Sequence, residues 1–286
     1  MTPEAMWVNG RAAEQVSVLD RALHYGDGLF ETIGCLEGSP RLFDLHLQRL
    51  SEGCRRLGFA LHHIEALRRE VPALAFGARR AIVKVLLTRG AAAARGYALT
   101  GEEQQLRILL RYPWPQPDPA VAGEGVRVRI AALRLGENPA LAGLKHCNRL
   151  EQVLARREWS DPSIAEALMF SSSGALISGT MSNVFLVHRS TVLTPSLERC
   201  GVAGVMRESV LRLARDAGID TQVRPLAAED LEQAQELFLT NALTGIRPVC
   251  ELSGRGWAVG ALTRRLQGLL APLLAPGANL GGDHHG

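Results

Sequence analysis

The spacing of apolar positions changes several times along this chain, and each change marks an element. "LFETIGCLEGSPRLF" alternates apolar and polar residues, which predicts two short strands around a turn at Glu37-Gly38-Ser39-Pro40. Leu47, Leu50, Cys54 and Leu57 then recur at helical spacing as one buried stripe, with Asp44 placed to cap that helix. "RRAIVKVLLTRG" is a strand with a continuous apolar middle, and "QLRILLRY" is another. The stretch from Tyr112 to Gly125, "YPWPQPDPAVAGEG", carries four prolines and two glycines; it predicts no regular element and reads as a linker.

Beyond the linker, Val126, Val128, Ile130 and Ala132 alternate as a strand requires. Leu150, Val153, Leu154 and Arg157 carry a helix, which puts Lys145 in the turn just before it. "EALMFSSSGALIS" and "SNVFLVHRSTVLTP" read as a meander of strands with Gly and Ser turns. "GVAGVMRESVLRLARDAG" is a helix that opens on glycines and ends at Gly218, and "ELFLTNALTGIRPV" is a last buried strand leading into a polar turn. The pattern predicts an α/β (α+β) fold in two domains: a smaller one over residues 1–112, a linker over 113–125, and a larger one over 126–286. No internal repeat is visible. The tail "PGANLGGDHHG" reads as frayed, with His284 and His285 solvated rather than metal ligands.

Composition narrows the function classes. With 47% hydrophobic and 21% charged residues, the chain is an ordinary globular sequence. A formal charge of +3 comes from arginines spread through the chain, with no basic run interleaved with aromatics, so nucleic-acid binding gains no support. Five cysteines (Cys35, Cys54, Cys147, Cys200, Cys250) are odd in number and in no CxxC pattern, which suits a reducing cytoplasm and no structural zinc. "MTPEAMWVNG" lacks the basic start and apolar stretch of a signal peptide, and no apolar run is long enough to span a membrane. These features suit a cytoplasmic protein and favour neither a nucleic-acid nor a membrane partner.

The candidate chemistry begins with a scarcity. Of 32 basic side chains only Lys84 and Lys145 are lysines; the other 30 are arginines. An arginine keeps its proton at any accessible pH, whereas a lysine amine can lose it on burial and attack a carbonyl. Scarcity alone favours a leftover surface lysine. Lys145 gains weight from its place between a strand and a helix, from a helix near Gly204 whose first N–H groups can cradle phosphate, and from the turn at Asn241 and Thr244. A nucleophilic lysine with a phosphate cradle is what pyridoxal phosphate (PLP) requires. Each part by itself also reads as ordinary capping or turn chemistry. Lys84, mid-strand in an apolar run, is the rival nucleophile and reads as structural.

Six segments carry a resemblance: "DRALHYGDGLFET", "HLQRL", "AGLKHCNRLEQVLARRE", "SNVFLV", "TPSLERCGVAGVMRE" and "LFLTNALTGIRPV". In order and spacing, from about Trp7 to Val249, they resemble the fold-type IV PLP enzymes, which include branched-chain and D-amino-acid aminotransferases. "GLKHCNRLEQVL" is similar to the lysine motif of the aminodeoxychorismate lyases of that group, not to the Asn-Tyr pattern of the branched-chain enzymes. The resemblance implies a cytoplasmic homodimer with PLP in a cleft between its domains. It implies Lys145 as the Schiff-base lysine and Arg49 as the arginine that pairs with the PLP phosphate. It further implies backbone phosphate contacts at Val205, Met206, Asn241 and Ala242. The family's glutamate at the pyridine nitrogen is replaced here by Ser178, which disfavours transamination more than lyase chemistry. A substrate with two carboxylates implies arginines in the first domain, for which Arg89, Arg95 and Arg107 are the candidates.

Overall fold

The computed structural model describes residues 1–91, 95–116 and 118–277. Residues 92–94 of "TRGAAAARGY", Pro117 of the linker and the His284–His285 tail lie outside the described residues. The chain forms two compact units. One comprises Met1–Pro115, Leu144–Asn148 and the residues from Leu273; the other comprises Gln116–Gly143 and Arg149–Pro272. The change of unit at Pro115 falls inside the expected linker, but the segment holding Lys145 belongs with the first unit and not the second.

In chain order the first unit holds β1 (Ala5–Val8), β2 (Arg11–Ala12), α1 (Arg21–Tyr25), β3 (Gly28–Leu36), β4 (Ser39–Pro40), α2 (Phe43–Leu57), α3 (His62–Ala75), β5 (Arg80–Thr88) and β6 (Leu106–Pro113). Its strands form one antiparallel sheet in the order β2-β1-β6-β5-β3-β4. Side chains alternate across such a sheet. Leu29, Ile33, Val83, Val85, Leu87 and Leu109 therefore turn to one face and bury against Leu47, Leu50 and Cys54 of α2 and Leu67, Val71 and Leu74 of α3. Phe30, Thr32, Ile82 and Lys84 turn to the other face and are only half-buried.

Two local expectations change. Only Glu37 and Gly38 form the turn, with φ of 48° and 76°, while Ser39 and Pro40 already pair with β3. A two-residue loop with both φ positive matches the strand twist better than a longer one would. Asp44 does not cap α2: the cap position is Leu42, without a side-chain bond, and Asp44 lies inside the first turn, accepting from Arg68 Nη1 at 2.8 Å.

The second unit continues with α4 (Pro119–Glu124), β7 (Val126–Leu135), α5 (Leu150–Arg156), β8 (Ile164–Ser171), β9 (Leu176–Gly179), β10 (Asn183–His188), β11 (Thr191–Pro195) and α6 (Val205–Asp216). Then come β12 (Thr221–Arg224), α7 (Ala228–Gln233), β13 (Glu236–Asn241), β14 (Gly245–Leu252), β15 (Arg255–Gly256) and α8 (Ala261–Leu270). Helix α4 corrects the reading of 113–125 as wholly irregular. Asp118 accepts a bond from Ala120 N at 2.9 Å, and Pro119 occupies the first turn, where its missing N–H is no loss.

The second sheet runs β12-β11-β10-β13-β14-β7-β8-β9, with β15 added beside β14. Val128, Leu168, Val184, Leu186, Leu237, Leu239 and Val249 fill one face. On the alternate positions of β10 and β13, Phe185 and Phe238 stack with centroids 4.9 Å apart. The α5 stripe is not core: Leu150, Val153 and Leu154 are 70%, 52% and 43% exposed.

Candidate functional site

Within the first unit, Leu144–Asn148 runs against the start of β3. Phe30 N donates to the Lys145 carbonyl at 2.9 Å, Cys147 N donates to the Gly28 carbonyl at 2.9 Å, and Leu29 and His146 form an antiparallel bridge. The approach requires Gly28, because a Cβ there would stand 2.8 Å from the Leu87 carbonyl oxygen and 3.1 Å from Cys147 Sγ. Lys145 is thereby held by backbone pairing, and its Nζ lies 4.3 Å from the centre of the Phe30 ring. The Nζ of Lys84 lies 5.7 Å from the centre of the same ring. Both of the chain's lysines thus meet on Phe30.

Glu31 follows Phe30 and points the opposite way, into the core under α2, where it is 1% exposed. His46 and Arg49, three residues apart, lie on one face of α2. Arg49 Nε donates to Glu31 Oε1 at 2.7 Å, and Arg49 Nη2 donates to Oε2. His46 Nδ1 donates to Glu31 Oε2 at 2.7 Å, because an ionised carboxylate only accepts. Burial would push the Glu31 carboxyl up, but the charges and hydrogen bonds of Arg49 and His46 outweigh it and hold it at about 2. Burial pushes His46 down, against the pull of Glu31, so the imidazole is neutral near neutral pH. Arg49 is therefore braced by a fixed negative charge on a rigid strand. Neither Glu31 nor His46 is singled out by sequence.

The "DRALHYGDGLFET" segment braces the same strand. Asp20 caps α1 through Ala22 N at 2.8 Å and accepts from Thr88 Oγ1 at 2.6 Å. Arg21 binds Asp27 and the carbonyls of Gly96 and Tyr97, fixing that end of the "ARGY" loop. The three arginine candidates separate. Arg89, 5% exposed, donates to Asp27 and to the Leu57 and Gly58 carbonyls at the end of α2. Arg107 lies under α3, paired with Glu70 at 2.7 Å and His63 at 2.9 Å. Arg95 is exposed.

In the second unit, β10 and β13 pair so that Asn183 faces Thr240 across the ladder. Asn183 Nδ2 donates to the Val202 carbonyl at 2.9 Å, which seats its side chain at the start of α6. The cap residue there, Gly204, offers no side chain to the first N–H groups, and a Cβ would fall 1.9 Å from Asn183 Oδ1. Val205 and Met206, both buried, open the helix. Beyond Thr240 the chain turns at Asn241, whose Oδ1 accepts from Leu243 N at 3.0 Å, Thr244 N at 2.9 Å and Thr244 Oγ1 at 2.9 Å. Ala242 lies within that turn. The sheet thus brings the helix start and the Asn241 turn to one end of the unit, an N–H-rich arrangement suited to phosphate. An uncapped helix start whose cap position tolerates no Cβ, with a braced turn beside it, fits the phosphate of PLP.

Ser178 sits in β9, 8% exposed and opposite Met169. A buried carboxylate does stand near it. Glu166 accepts from Met181 N at 2.6 Å and Ser182 Oγ at 2.8 Å, and Arg247 Nη2 donates to it. Its Oε1 is 2.3 Å from where a Gly179 Cβ would be, so by strand alternation it lies on the face of β9 opposite the Ser178 side chain. No carboxylate therefore shares the Ser178 face of β9 through Glu166. Among the described residues no cluster of His, Cys, Asp and Glu could hold a metal ion.

The amino-transferase class IV family model matches residues 28–252. The chain is 34% identical over 268 residues to an aminodeoxychorismate lyase of Vibrio harveyi, covering 92% of this chain and 98% of that protein. It is 28% identical over 273 residues to a putative branched-chain-amino-acid aminotransferase of Methanocaldococcus jannaschii, covering 92% and 93%. The crystal structure of 4-amino-4-deoxychorismate lyase from Pseudomonas aeruginosa superposes with a TM-score of 0.89 at 46% identity, covering 93% of this chain and 97% of that one. Backbone-held lysine, braced arginine and open helix start all lie in the matched region, and the chain belongs to the amino-transferase class IV family.

Proposed function

We propose that this chain is a PLP-dependent carbon–oxygen lyase that converts 4-amino-4-deoxychorismate to 4-aminobenzoate and pyruvate, a step toward folate. What carries the proposal is the likeness, over nearly the whole chain, to two aminodeoxychorismate lyases at 34% and 46% identity, against 28% for the putative aminotransferase. When bound, PLP supplies a carbonyl that takes up an amine and a ring that accepts the electrons released at the neighbouring carbon.

Lys145, held by the Phe30 and Gly28 backbone, would carry the cofactor between turnovers. With the substrate amine on the cofactor, the free Nζ would take the proton from the carbon that bears that amine. The carbon–oxygen bond at the adjacent carbon would break as the ring becomes aromatic, and the departing enolpyruvyl group would take up a proton at its methylene carbon to become pyruvate. Arg49 would present its planar fork to the phosphate, oriented by Glu31. The N–H groups of Val205, Met206, Asn241 and Ala242 would donate to the phosphate.

At the ring nitrogen, the Ser178 hydroxyl would not hold a proton as a carboxylate would. Aromatisation of the product offsets that weakness for elimination of pyruvate, and transamination has no such offset. Arg95, exposed, is the arginine we assign to a substrate carboxylate, since Asp27 and Glu70 occupy Arg89 and Arg107. A homodimer in a reducing cytoplasm suits the exposed apolar face of α5 and the five free cysteines.

The test is to supply purified protein with PLP and aminodeoxychorismate and to measure 4-aminobenzoate and pyruvate together. Borohydride treatment of the PLP-loaded protein is expected to fix the cofactor on Lys145. Fixation on Lys84, or rapid amino transfer to a 2-oxo acid without 4-aminobenzoate, overturns the reading.

A further inference from the structure

Glu166 is a fully buried carboxylate that the chemistry above leaves without a task. It lies on β8 and turns to the face where Leu168 and Phe170 pack with Val184 and Leu186 as apolar core. Replacing a buried ion pair by apolar side chains is often neutral or stabilising, so the Arg247 partner alone does not account for a charge here. Arg247 is also fitted imperfectly, since its buried Nε finds no hydrogen-bond partner among the described residues. The other two donors are Met181 N at 2.6 Å and Ser182 Oγ at 2.8 Å, and both belong to the turn from β9 to β10. The carboxylate lies directly on that turn: a Cβ at Gly179 would stand 2.3 Å from Glu166 Oε1 and 2.4 Å from Ser182 Oγ. Gly179 N closes the turn by donating to the Ser182 carbonyl at 2.8 Å. The Met181 side chain is exposed, so it gives the turn no apolar anchor.

The turn joins two residues that the cofactor needs at a set distance. Ser178 precedes it in β9, at the place proposed for the pyridine nitrogen. Asn183 follows it as the first residue of β10, and its Nδ2 ties the Val202 carbonyl just ahead of the α6 N–H groups proposed for the phosphate. We propose that Glu166 is a positioning residue for the cofactor: by accepting from Met181 N and Ser182 Oγ, it fixes the separation between the ring site and the phosphate site. The inference rests on the placement of PLP given above. A ligand held at both ends gains from the second contact only when the two sites stand at its own span. Loss of the turn's anchor should therefore weaken PLP more than pyridoxal, which has no phosphate.

The experiment removes the charge pair in two ways that differ at the turn. Glu166→Gln with Arg247→Met keeps an amide oxygen to accept from Met181 N and Ser182 Oγ, whereas Glu166→Leu with Arg247→Met keeps none. Kd values for PLP and for pyridoxal are measured with each apoprotein by absorbance, beside stability in urea. Wild type is expected to bind PLP far more tightly than pyridoxal. The Glu166→Leu double variant should lower that ratio about tenfold or more, and the Glu166→Gln double variant should keep it within about threefold, whatever either does to stability. If the Glu166→Leu double variant does not fold, Ser182→Ala removes one of the two turn donors and should lower the ratio by a smaller factor. A ratio unchanged when the turn's anchor is removed, or lowered equally in the Glu166→Gln double variant, overturns the proposal. A wild type that binds PLP no better than pyridoxal overturns the phosphate placement itself, and the inference with it.

Discussion

Replacing Glu31 by Gln tests whether the buried triad is what fixes Arg49. The variant keeps the shape and removes the charge, leaving Arg49 and His46 facing a neutral amide. The Glu31 carboxyl is lowered from 4.5 to about 2. At about 1.4 kcal/mol per pKa unit, the ionised carboxylate contributes ~3 kcal/mol to the folded state. Breaking a buried ion pair by removing one partner costs about 3–5 kcal/mol, which agrees. The sign follows from the depression: the contribution is complete above pH 4.5 and is lost as pH falls toward about 2. His46, pushed down from 6.5, adds a separate loss as pH falls below its ordinary value, because its neutral form is the one the fold favours. Urea unfolding followed by tryptophan fluorescence should place Glu31→Gln about 3 kcal/mol below wild type at pH 7, with the gap closing at the acid end. PLP should also dissociate faster from the variant. A variant as stable as wild type at pH 7, with the same acid dependence, would show that the triad does not hold this helix to the sheet.

Arg49→Ala should weaken PLP binding roughly ten- to a hundredfold, whereas Arg55→Ala, on the same helix and paired only with exposed Glu52, should not; equal dissociation constants would return Arg49 to a structural role. Gly204→Ala places a methyl 1.9 Å from Asn183 Oδ1, which cannot swing away without losing its bond to Val202. A loss of about 1–3 kcal/mol in urea stability and weaker PLP retention are expected, and an unchanged protein would remove the helix start from the phosphate site. Ser178→Glu, once shown to retain PLP, should speed transamination of simple amino acids while changing 4-aminobenzoate formation less; no change in either rate would place Ser178 away from the ring nitrogen.

Lys145 is legible in the sequence because scarcity, motif and position between strand and helix coincide there. The strands of both units are legible for a simpler reason, since alternation of apolar residues is local. Helix α3 escapes because Pro72 interrupts its pattern, although Ile64, Leu67, Val71 and Leu74 carry a clear buried face. Glu31 escapes because a single acid in "LFETIG" looks like the polar side of a strand. Its inward direction was still available: it shares parity with Leu29 and Ile33, and His46 and Arg49 stand three apart on the next helix. What no local pattern can supply is pairing across distance. Arg89 meets Asp27 at a separation of 62 residues and Arg107 meets Glu70 at 37, so in a chain with 30 arginines the occupied ones look the same as the available ones.

The same limit applies to the proposed place of Ser178 at the ring nitrogen. The family resemblance puts Ser178 where a carboxylate is expected and leaves open whether another replaces it. Glu166 is the nearby buried acid, and its oxygens are already taken by Met181 N, Ser182 and Arg247. Drawing it toward Ser178 would strip Arg247 of its partner and pass the side chain through the plane of β9. Removing one member of a buried charge pair costs about 3–5 kcal/mol, more than a hydrogen bond to a pyridine would return. The carboxylate therefore stays where it holds the turn after β9. If Ser178 faces the ring nitrogen as proposed, electron withdrawal would have to be supplemented by the reaction itself, and an elimination that ends in an aromatic product is a reaction that can supply it.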